Sequence, residues 1–156
     1  MTASPAALLD WHDGLAPGQS RRDGALYVGK FSATELAESH GTPLLAIDYG
    51  VLDATIAQFS AAAISHAIEV AYAGKALLLV ALARRLATTS LLLDVCSIGE
   101  LVTAERAGFP ASRISLHGCG KTDDELDAVV AGRVGTTIVD SLDELRRLRA
   151  RARVRA

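Results

Sequence analysis

The stretch "AIEVAYAGKALLLVALARRLATTSLLLDVCS" (residues 67–97) decides the fold, because it changes its apolar pattern twice. Short runs rich in β-branched or leucine residues stand at both ends, and the apolar residues between them recur at helical spacing. The same pattern predicts five strands in all, over residues 43–48, 67–73, 91–97, 113–118 and 136–141. Strands that are apolar on both faces and joined by helices indicate an α/β fold with a parallel sheet.

Local signals predict where three of the helices begin and end. Ser32 is a plausible N-cap, Glu35 completes a capping box with it, and Gly41 ends the first helix. Two later helices open at the N-cap candidates Ser97 and Thr122 and close at Gly108 and Gly132.

Polar residues at the strand ends distinguish between the two parallel-sheet architectures, an open doubly wound sheet and part of a (β/α)8 barrel. Lys75, Asp94, His117 and Asp140 follow one another at intervals of 19, 23 and 23 residues. That interval is about the length of one βα unit, and barrel active sites gather at the carboxyl ends of the strands. The spacing therefore favours the barrel.

The length of the chain predicts that this barrel is not closed. A closed barrel typically takes ~250 residues, whereas this chain has 156 residues. We therefore predict an N-terminal extension with a short helix over residues 1–40 and a partial (β/α)8 barrel of about five βα units over residues 41–156. An unclosed sheet would expose unpaired strand edges.

Lys75 is the leading candidate for chemistry. The chain has three lysines against thirteen arginines, and a guanidinium stays protonated, so it cannot serve as an amine nucleophile. A lysine at a strand end, partly desolvated so that its neutral form becomes accessible, suggests a Schiff-base amine. The alternative is a lysine that extends from the sheet end into water.

Composition excludes several other classes of function. The net charge of -2 gives no general reason to expect nucleic acid or an anionic membrane as a partner. The longest apolar run, residues 76–83, is too short to span a bilayer, and no signal peptide is visible, so we expect a cytoplasmic protein. The spacing of Cys96 and Cys119 predicts reduced thiols, and we expect no metal.

Ordered motifs give the sequence a family resemblance. "AYAGKA", "DVCSIGEL", "SLHGCGKTDDEL" and "GTTIVDSLDEL", preceded by "HGTPLLAID", occur in this order over residues 24–149. Together they resemble the N-terminal barrel domain of the fold-type III pyridoxal-phosphate decarboxylases. The pattern is most similar to diaminopimelate decarboxylases of the actinobacterial form, which convert meso-2,6-diaminopimelate to L-lysine and carbon dioxide in lysine biosynthesis.

The resemblance implies roles for individual residues. Lys75 matches the family's cofactor lysine, and Asp94 matches an acid that helps orient and charge it. Glu100 matches a further acid of the same polar cluster. His117 lies in the family's His-Gly-Asn-x-Lys loop at the site rim, where this chain has Cys119 in place of the Asn. The implied cofactor is pyridoxal 5'-phosphate, the implied substrate is a small amino acid, and the intact family forms homodimers.

Two departures from the family pattern limit what the resemblance implies. Gly74 stands where the family usually has Val, which allows a closer backbone approach at that point. The family's phosphate loop, the acid that pairs with the pyridine nitrogen and the C-terminal β-domain would follow Ala156. We therefore expect a truncated chain that holds the cofactor weakly and is inactive alone. The alternatives are a non-catalytic cofactor-binding protein and a barrel remnant that acts as an association module.

Two basic features have less specific interpretations. Gly120, Lys121 and Thr122 partly match a phosphate-binding P-loop, but Ser115 stands where that motif needs a glycine. We therefore interpret Lys121 as a rim or solvent residue. Six arginines between Arg146 and Arg155 lack interleaved aromatic residues, which indicates a solvated helix face or a frayed chain end.

Overall fold

The computed structural model describes residues 14–155, with side chains through residue 153. The chain divides after His66 into two compact units. Residues 1–13 of the predicted N-terminal extension lie outside the described residues. The boundary predicted between residues 40 and 41 falls within the first unit, and this division stays a prediction.

The first unit opens with a small antiparallel sheet. Strand β1 (Gln19–Arg22) pairs with β2 (Ala25–Val28), which pairs with β3 (Phe31–Ser32). Asp23 and Gly24 both have positive φ, of 49° and 80°, as the tight two-residue turn of a twisted hairpin requires. The sequence pattern predicted only a short helix in this extension and missed this sheet. The strands are too short and too polar to show a clear alternation.

The first predicted helix is confirmed. Helix α1 spans Ala33–His40, and the Ser32 hydroxyl accepts a hydrogen bond from the Glu35 backbone N–H. The Glu35 carboxylate accepts one from the Ser32 N–H in return, which completes the predicted capping box. Gly41 ends the helix with φ of 79°, a conformation that favours glycine.

The strand predicted over residues 43–48 is not formed. This segment is irregular in the structure and leads directly into helix α2 (Tyr49–His66). Its apolar residues are largely solvent-exposed, Leu45 by 71%. An apolar run becomes a strand only where a neighbouring strand accepts its backbone hydrogen bonds, and none pairs with this one within the described residues.

The second unit contains the predicted parallel sheet. Its strands are β4 (Ala71–Ala73), β5 (Leu92–Val95), β6 (Ile114–Leu116) and β7 (Thr136–Thr137), and their order in the sheet follows their order in the chain. All three strand pairs are parallel. The α/β class predicted from the sequence is therefore present, with four strands in this sheet instead of five.

A helix follows each strand of this sheet. The helices are α3 (Val80–Ala87), α4 (Ile98–Arg106), α5 (Asp123–Val130) and α6 (Leu142–Arg155). Ser97 and Thr122 cap α4 and α5 as predicted, because each hydroxyl accepts a backbone N–H from the first turn. Within residues 14–155, no helix is both long and apolar enough to cross a membrane.

Alternation along the central strands places one face of the sheet in the core. In β5, Leu93 and Val95 are fully buried, while Leu92 and Asp94 are only partly covered. Residues of β6 alternate in the same way. The helices complete this core with the fully buried side chains Leu86, Leu101 and Leu126. Asp94 therefore lies on the less covered face, near the carboxyl end of its strand.

Candidate functional site

The carboxyl edge of the parallel sheet holds the polar residues that the sequence analysis singled out. Lys75 lies in a 3-10 turn, Gly74–Ala76, directly after β4. Asp94 is the third residue of β5, and His117 follows the last residue of β6. Because parallel strands present their carboxyl ends at one edge of a sheet, these residues share that edge.

Asp94 and His117 form a charge contact between neighbouring strands. Oδ2 of Asp94 lies 3.6 Å from Nδ1 of His117, slightly beyond hydrogen-bonding distance. The backbone brings the two residues near each other, since the His117 N–H donates to the Val95 carbonyl at 2.8 Å. The two predicted residues are thus brought together, with the Asp94 side chain 22% exposed and the His117 side chain 50% exposed.

Glu100 turns back from α4 toward the strand ends. Its Oε2 accepts a hydrogen bond from the Cys96 N–H at 2.8 Å, and its own N–H donates to the Ser97 hydroxyl at 3.2 Å. The same oxygen would lie 3.4 Å from a Cβ placed on Gly74, the residue before Lys75. Glu100 therefore supplies a carboxylate beside the turn that carries Lys75.

Gly74 makes the close approach that the sequence predicted for it. The residue is buried, and a Cβ added there would lie 2.9 Å from the backbone oxygen of Asp94. Side chains do not tolerate so short a contact with a backbone atom, so the position requires glycine in this geometry. The absence of a side chain lets the Lys75 turn lie directly against β5.

Lys75 is exposed, although the sequence argument expected a partly desolvated amine. The reason is its place in the sheet: β4 is an edge strand, and the turn that follows it has a neighbouring strand on one side only. The prediction of desolvation is therefore wrong for the second unit as this structure describes it. The amine is instead accessible from solvent.

The thiol of Cys96 responds to the charged groups gathered at this edge. Burial raises the pKa of the Cys96 thiol, and the negative charges of Asp94 and Glu100 raise it further. The positive charges of Lys75 and Lys121 act in the opposite direction. All four charged groups thus lie within electrostatic reach of the Cys96 thiol. These five residues, together with His117, are called here the cluster.

Lys121 is a buried member of the cluster, and its interpretation as a rim or solvent residue is wrong. The residue is only 3% exposed. Its ammonium has three N–H donors and lies within 3.4 Å of four oxygens: the backbone oxygens of Gly118 (2.8 Å) and Ile138 (2.6 Å), Glu144 Oε1 (2.9 Å) and Asp140 Oδ2 (3.4 Å). No local sequence pattern predicts the burial of Lys121, because three of its four partners lie 17 to 23 residues further along the chain.

Two of the arginines of α6 also have structural partners. Arg147 contacts Asp123 at 2.7 Å, and Arg151 pairs with both Asp123 and Asp127 of α5. These ion pairs join α6 to the preceding helix. Both arginine side chains stay partly exposed, by 35% and 23%, so the expected solvated helix face is compatible with these ion pairs.

The donor set of the cluster combines amines with carboxylates, an imidazole and a thiol. Within residues 14–155, no group of three or more His, Cys, Asp or Glu side chains could hold a metal ion. Both cysteines of the chain are free thiols. An accessible amine beside two carboxylates and an imidazole can instead form a carbon–nitrogen bond with a carbonyl compound and exchange the protons that this requires.

Comparisons with known proteins agree with this donor set. The family model described as pyridoxal-dependent decarboxylase, pyridoxal binding domain, matches residues 52–154. A diaminopimelate decarboxylase of Actinosynnema pretiosum subsp. auranticum is 42% identical over 153 residues, which cover 97% of this chain and 34% of that protein. The diaminopimelate decarboxylase of Mycobacterium leprae is 47% identical over 146 residues, 92% of this chain and 30% of that protein.

The fold is similar to that of a solved relative. A diaminopimelate decarboxylase from M. jannaschii, solved in complex with L-lysine, superposes with a TM-score of 0.78 at 29% identity, covering 87% of this chain and 33% of that one. The predicted fold class, an α/β fold that forms part of a barrel, is confirmed. The chain spans about a third of the length of the curated relatives that it matches. It belongs to the family of pyridoxal-dependent decarboxylases and carries part of their pyridoxal binding domain.

Proposed function

We propose that this chain supplies the lysine-bearing part of a pyridoxal-phosphate-dependent amino-acid decarboxylase site. The observation that carries the proposal is the position of Lys75. It is an accessible amine in the turn after β4, beside the carboxylate of Glu100 and on the same sheet edge as the Asp94–His117 pair. The residues fit the cofactor because an aldehyde needs an amine to hold it and neighbouring acids to manage protons.

In this proposal the cofactor, when bound, delocalises the electron pair that the departing carbon dioxide leaves behind. The residues of the chain would bind and orient the cofactor. Lys75 Nζ would hold the cofactor through its aldehyde carbon, and the aldehyde oxygen would leave as water. Asp94 and Glu100 keep negative charge at the sheet edge and so balance the ammonium whenever Lys75 is protonated.

His117 is proposed to handle protons at the rim. Nδ1 is the ring nitrogen that faces Asp94, at 3.6 Å, which leaves Nε2 as the nitrogen available to a ligand. The half-exposed ring could exchange a proton there with solvent or with a bound amino acid. Asp94 thus orients the imidazole, while the imidazole acts on the ligand.

The proposed substrate is an amino acid with a second amine, diaminopimelate above all. Support comes from the two diaminopimelate decarboxylases that are 42% and 47% identical to this chain. It also comes from the L-lysine complex of the structurally similar M. jannaschii enzyme. Homodimer formation, as in the intact family, belongs to the same proposal.

Selective modification of Lys75 tests the proposed role. The folded chain is incubated with pyridoxal phosphate, the carbon–nitrogen bond is reduced with borohydride, and the modified peptides are mapped. Lys30 is a matched internal control, because it is an exposed lysine of the other unit. We expect the label at Lys75 to exceed that at Lys30 and to disappear in Lys75→Arg. Equal labelling of the two lysines would contradict the proposal.

A further inference from the structure

The buried ammonium of Lys121 joins two segments at the carboxyl edge of the sheet. Its partner Gly118 lies in the loop of residues 117–120, which follows β6 and is called here the β6 loop. Ile138 and Glu144 lie after β7, in the connection to α6 and in the first turn of that helix. A further contact fixes the Lys121 backbone, whose carbonyl accepts from Arg147 at 3.0 Å.

The buried ammonium is better explained by the backbone segments that it positions than by a gain in the free energy of unfolding. Removing an ammonium and a carboxylate from water is costly, and an apolar pair of similar volume is often as stable or more stable. What an apolar pair cannot do is donate hydrogen bonds to two inward-facing carbonyls. The Gly118 and Ile138 oxygens receive those bonds from Lys121 at 2.8 and 2.6 Å. The ammonium therefore determines where these two backbone segments lie.

The β6 loop in turn packs against Cys96. A Cβ placed on Gly118 would lie 3.3 Å from the Cys96 carbonyl oxygen and 3.7 Å from the Cys96 Cβ. Gly118 thus packs directly on Cys96, and its φ of 108° is one that other residues rarely adopt. His117, the first residue of the same loop, faces Asp94. Movement of the loop would displace both contacts together.

We propose that Lys121 is a positioning residue: its ammonium holds the β6 loop so that His117 faces Asp94 and Gly118 covers Cys96. The inference rests on the proposed function for the use of the site, since it concerns how the imidazole and the strand end are arranged around Lys75. It assigns Lys121 no contact with the ligand. Its effect passes through the loop.

The test replaces the buried pair without leaving a fully buried unpaired charge, because the Asp140 carboxylate that also loses Lys121 is 24% exposed to water. The double variant Lys121→Met/Glu144→Leu keeps the volume of the pair and removes the donor to the two carbonyls. The matched control is Arg133→Met/Glu105→Leu, which removes a bidentate ion pair of the same unit that lies between α4 and the segment after α5. Both pairs are introduced in a Cys119→Ser background, so that Cys96 is the single thiol.

The first readout is the rate at which Cys96 reacts with Ellman's reagent, dithiobis(nitrobenzoate). We expect the Lys121/Glu144 variant to fold and to react about tenfold faster, which corresponds to ~1.4 kcal/mol less free energy for opening the loop. Loss of the Lys121 charge alone would slow the reaction, because that charge lowers the pKa of the Cys96 thiol. Burial is the main cause of the raised pKa of this thiol. A faster reaction therefore reports exposure of the thiol.

The second readout is borohydride-fixed pyridoxal phosphate on Lys75, which we expect to fall in the Lys121/Glu144 variant and not in the control. An unchanged Cys96 rate in a folded variant would overturn the inference, as would a variant that does not fold, because the pair would then be a structural requirement. Unchanged Lys75 labelling beside a faster Cys96 would overturn it too. If Lys75 of the parent is not labelled, the proposed function fails, and the Cys96 rate still decides whether Lys121 holds the loop.

Discussion

At the scale of single residues, the missing side chain of Gly74 determines how closely the Lys75 turn approaches β5. We expect Gly74→Ala to destabilise the chain by ~1–3 kcal/mol, the usual cost of forcing extra volume into a packed site. An added Cβ would lie 2.9 Å from the Asp94 carbonyl oxygen, and a backbone atom cannot rotate away. Urea unfolding followed by circular dichroism measures the change in the free energy of unfolding.

Gly99→Ala is the matched control for this prediction. Gly99 lies in α4, and the atom nearest to an added Cβ is the Ser97 hydroxyl oxygen at 3.9 Å, an ordinary contact. Alanine should be neutral there or stabilise the helix by up to ~1 kcal/mol. If Gly74→Ala were as stable as Gly99→Ala, the close approach to β5 would not constrain this position.

The lysines show how far the sequence can predict a site residue. The place of Lys75 at a strand end followed from local pattern, because the strand predicted over residues 67–73 ends two positions before it. The exposure of the lysine side chains did not follow from local pattern. Lys75 is exposed and Lys121 is buried, the reverse of expectation, since burial depends on neighbours that the sequence does not bring together. The acceptors of Lys121 become its neighbours only once β7 pairs with β6.

At the scale of elements, the capping box of α5 is the clearest local determinant. The Thr122 hydroxyl accepts from the Glu125 N–H at 3.4 Å and donates to the Glu125 carboxylate at 3.0 Å. We expect Thr122→Ala to lower the free energy of unfolding by ~0.5–2 kcal/mol, the range measured for lost N-caps. Thermal or urea unfolding checks this value.

Thr103→Ala is the control, because the Thr103 hydroxyl donates back to the Gly99 carbonyl within α4. Such a bond adds little to a helix, and alanine has the higher helix propensity, so the control should be neutral or stabilising. A Thr122→Ala variant as stable as Thr103→Ala would show that the backbone N–H of Thr122 alone suffices for the Glu125 carboxylate.

Elements bounded by local signals were predicted well, and elements that depend on pairing were not. Ser32, Ser97 and Thr122 cap helices as expected, since a cap is made by residues three apart. Residues 43–48 have the composition of a strand but no partner strand within the described part of the chain. The N-terminal sheet was missed for the opposite reason: its pairing is defined by a turn, while the strands themselves are partly polar.

At the scale of the whole molecule, side-chain links join the last three βα units of the second unit to one another. The Glu125 carboxylate of α5 accepts from the Ile98 N–H of α4 at 3.0 Å. Arg133, after α5, reaches back to Glu105 of α4, and α6 pairs with α5 through its arginines. The linked residues lie 24 to 28 positions apart, so no window of sequence predicts them. They make the stability of this unit depend on carboxylates that remain ionised.

That dependence predicts loss of stability in acid, with Glu125 as the group to test. Burial raises the pKa of Glu125, but hydrogen bonds from Thr122 and Ile98 and the charge of Lys121 bring it below the ordinary 4.5. A group with a lower pKa in the folded state binds fewer protons there. Its contribution to stability is therefore full above the ordinary pKa and is lost as the pH falls through the pKa of the folded state.

We expect the free energy of unfolding to decline below about pH 4.5, and less steeply in Glu125→Gln, which cannot titrate. Urea unfolding from pH 6 to pH 3 measures both slopes, with Asp124→Asn as the control for losing one negative charge from the same turn. Parallel slopes in the parent and in Glu125→Gln would show that Glu125 takes no part.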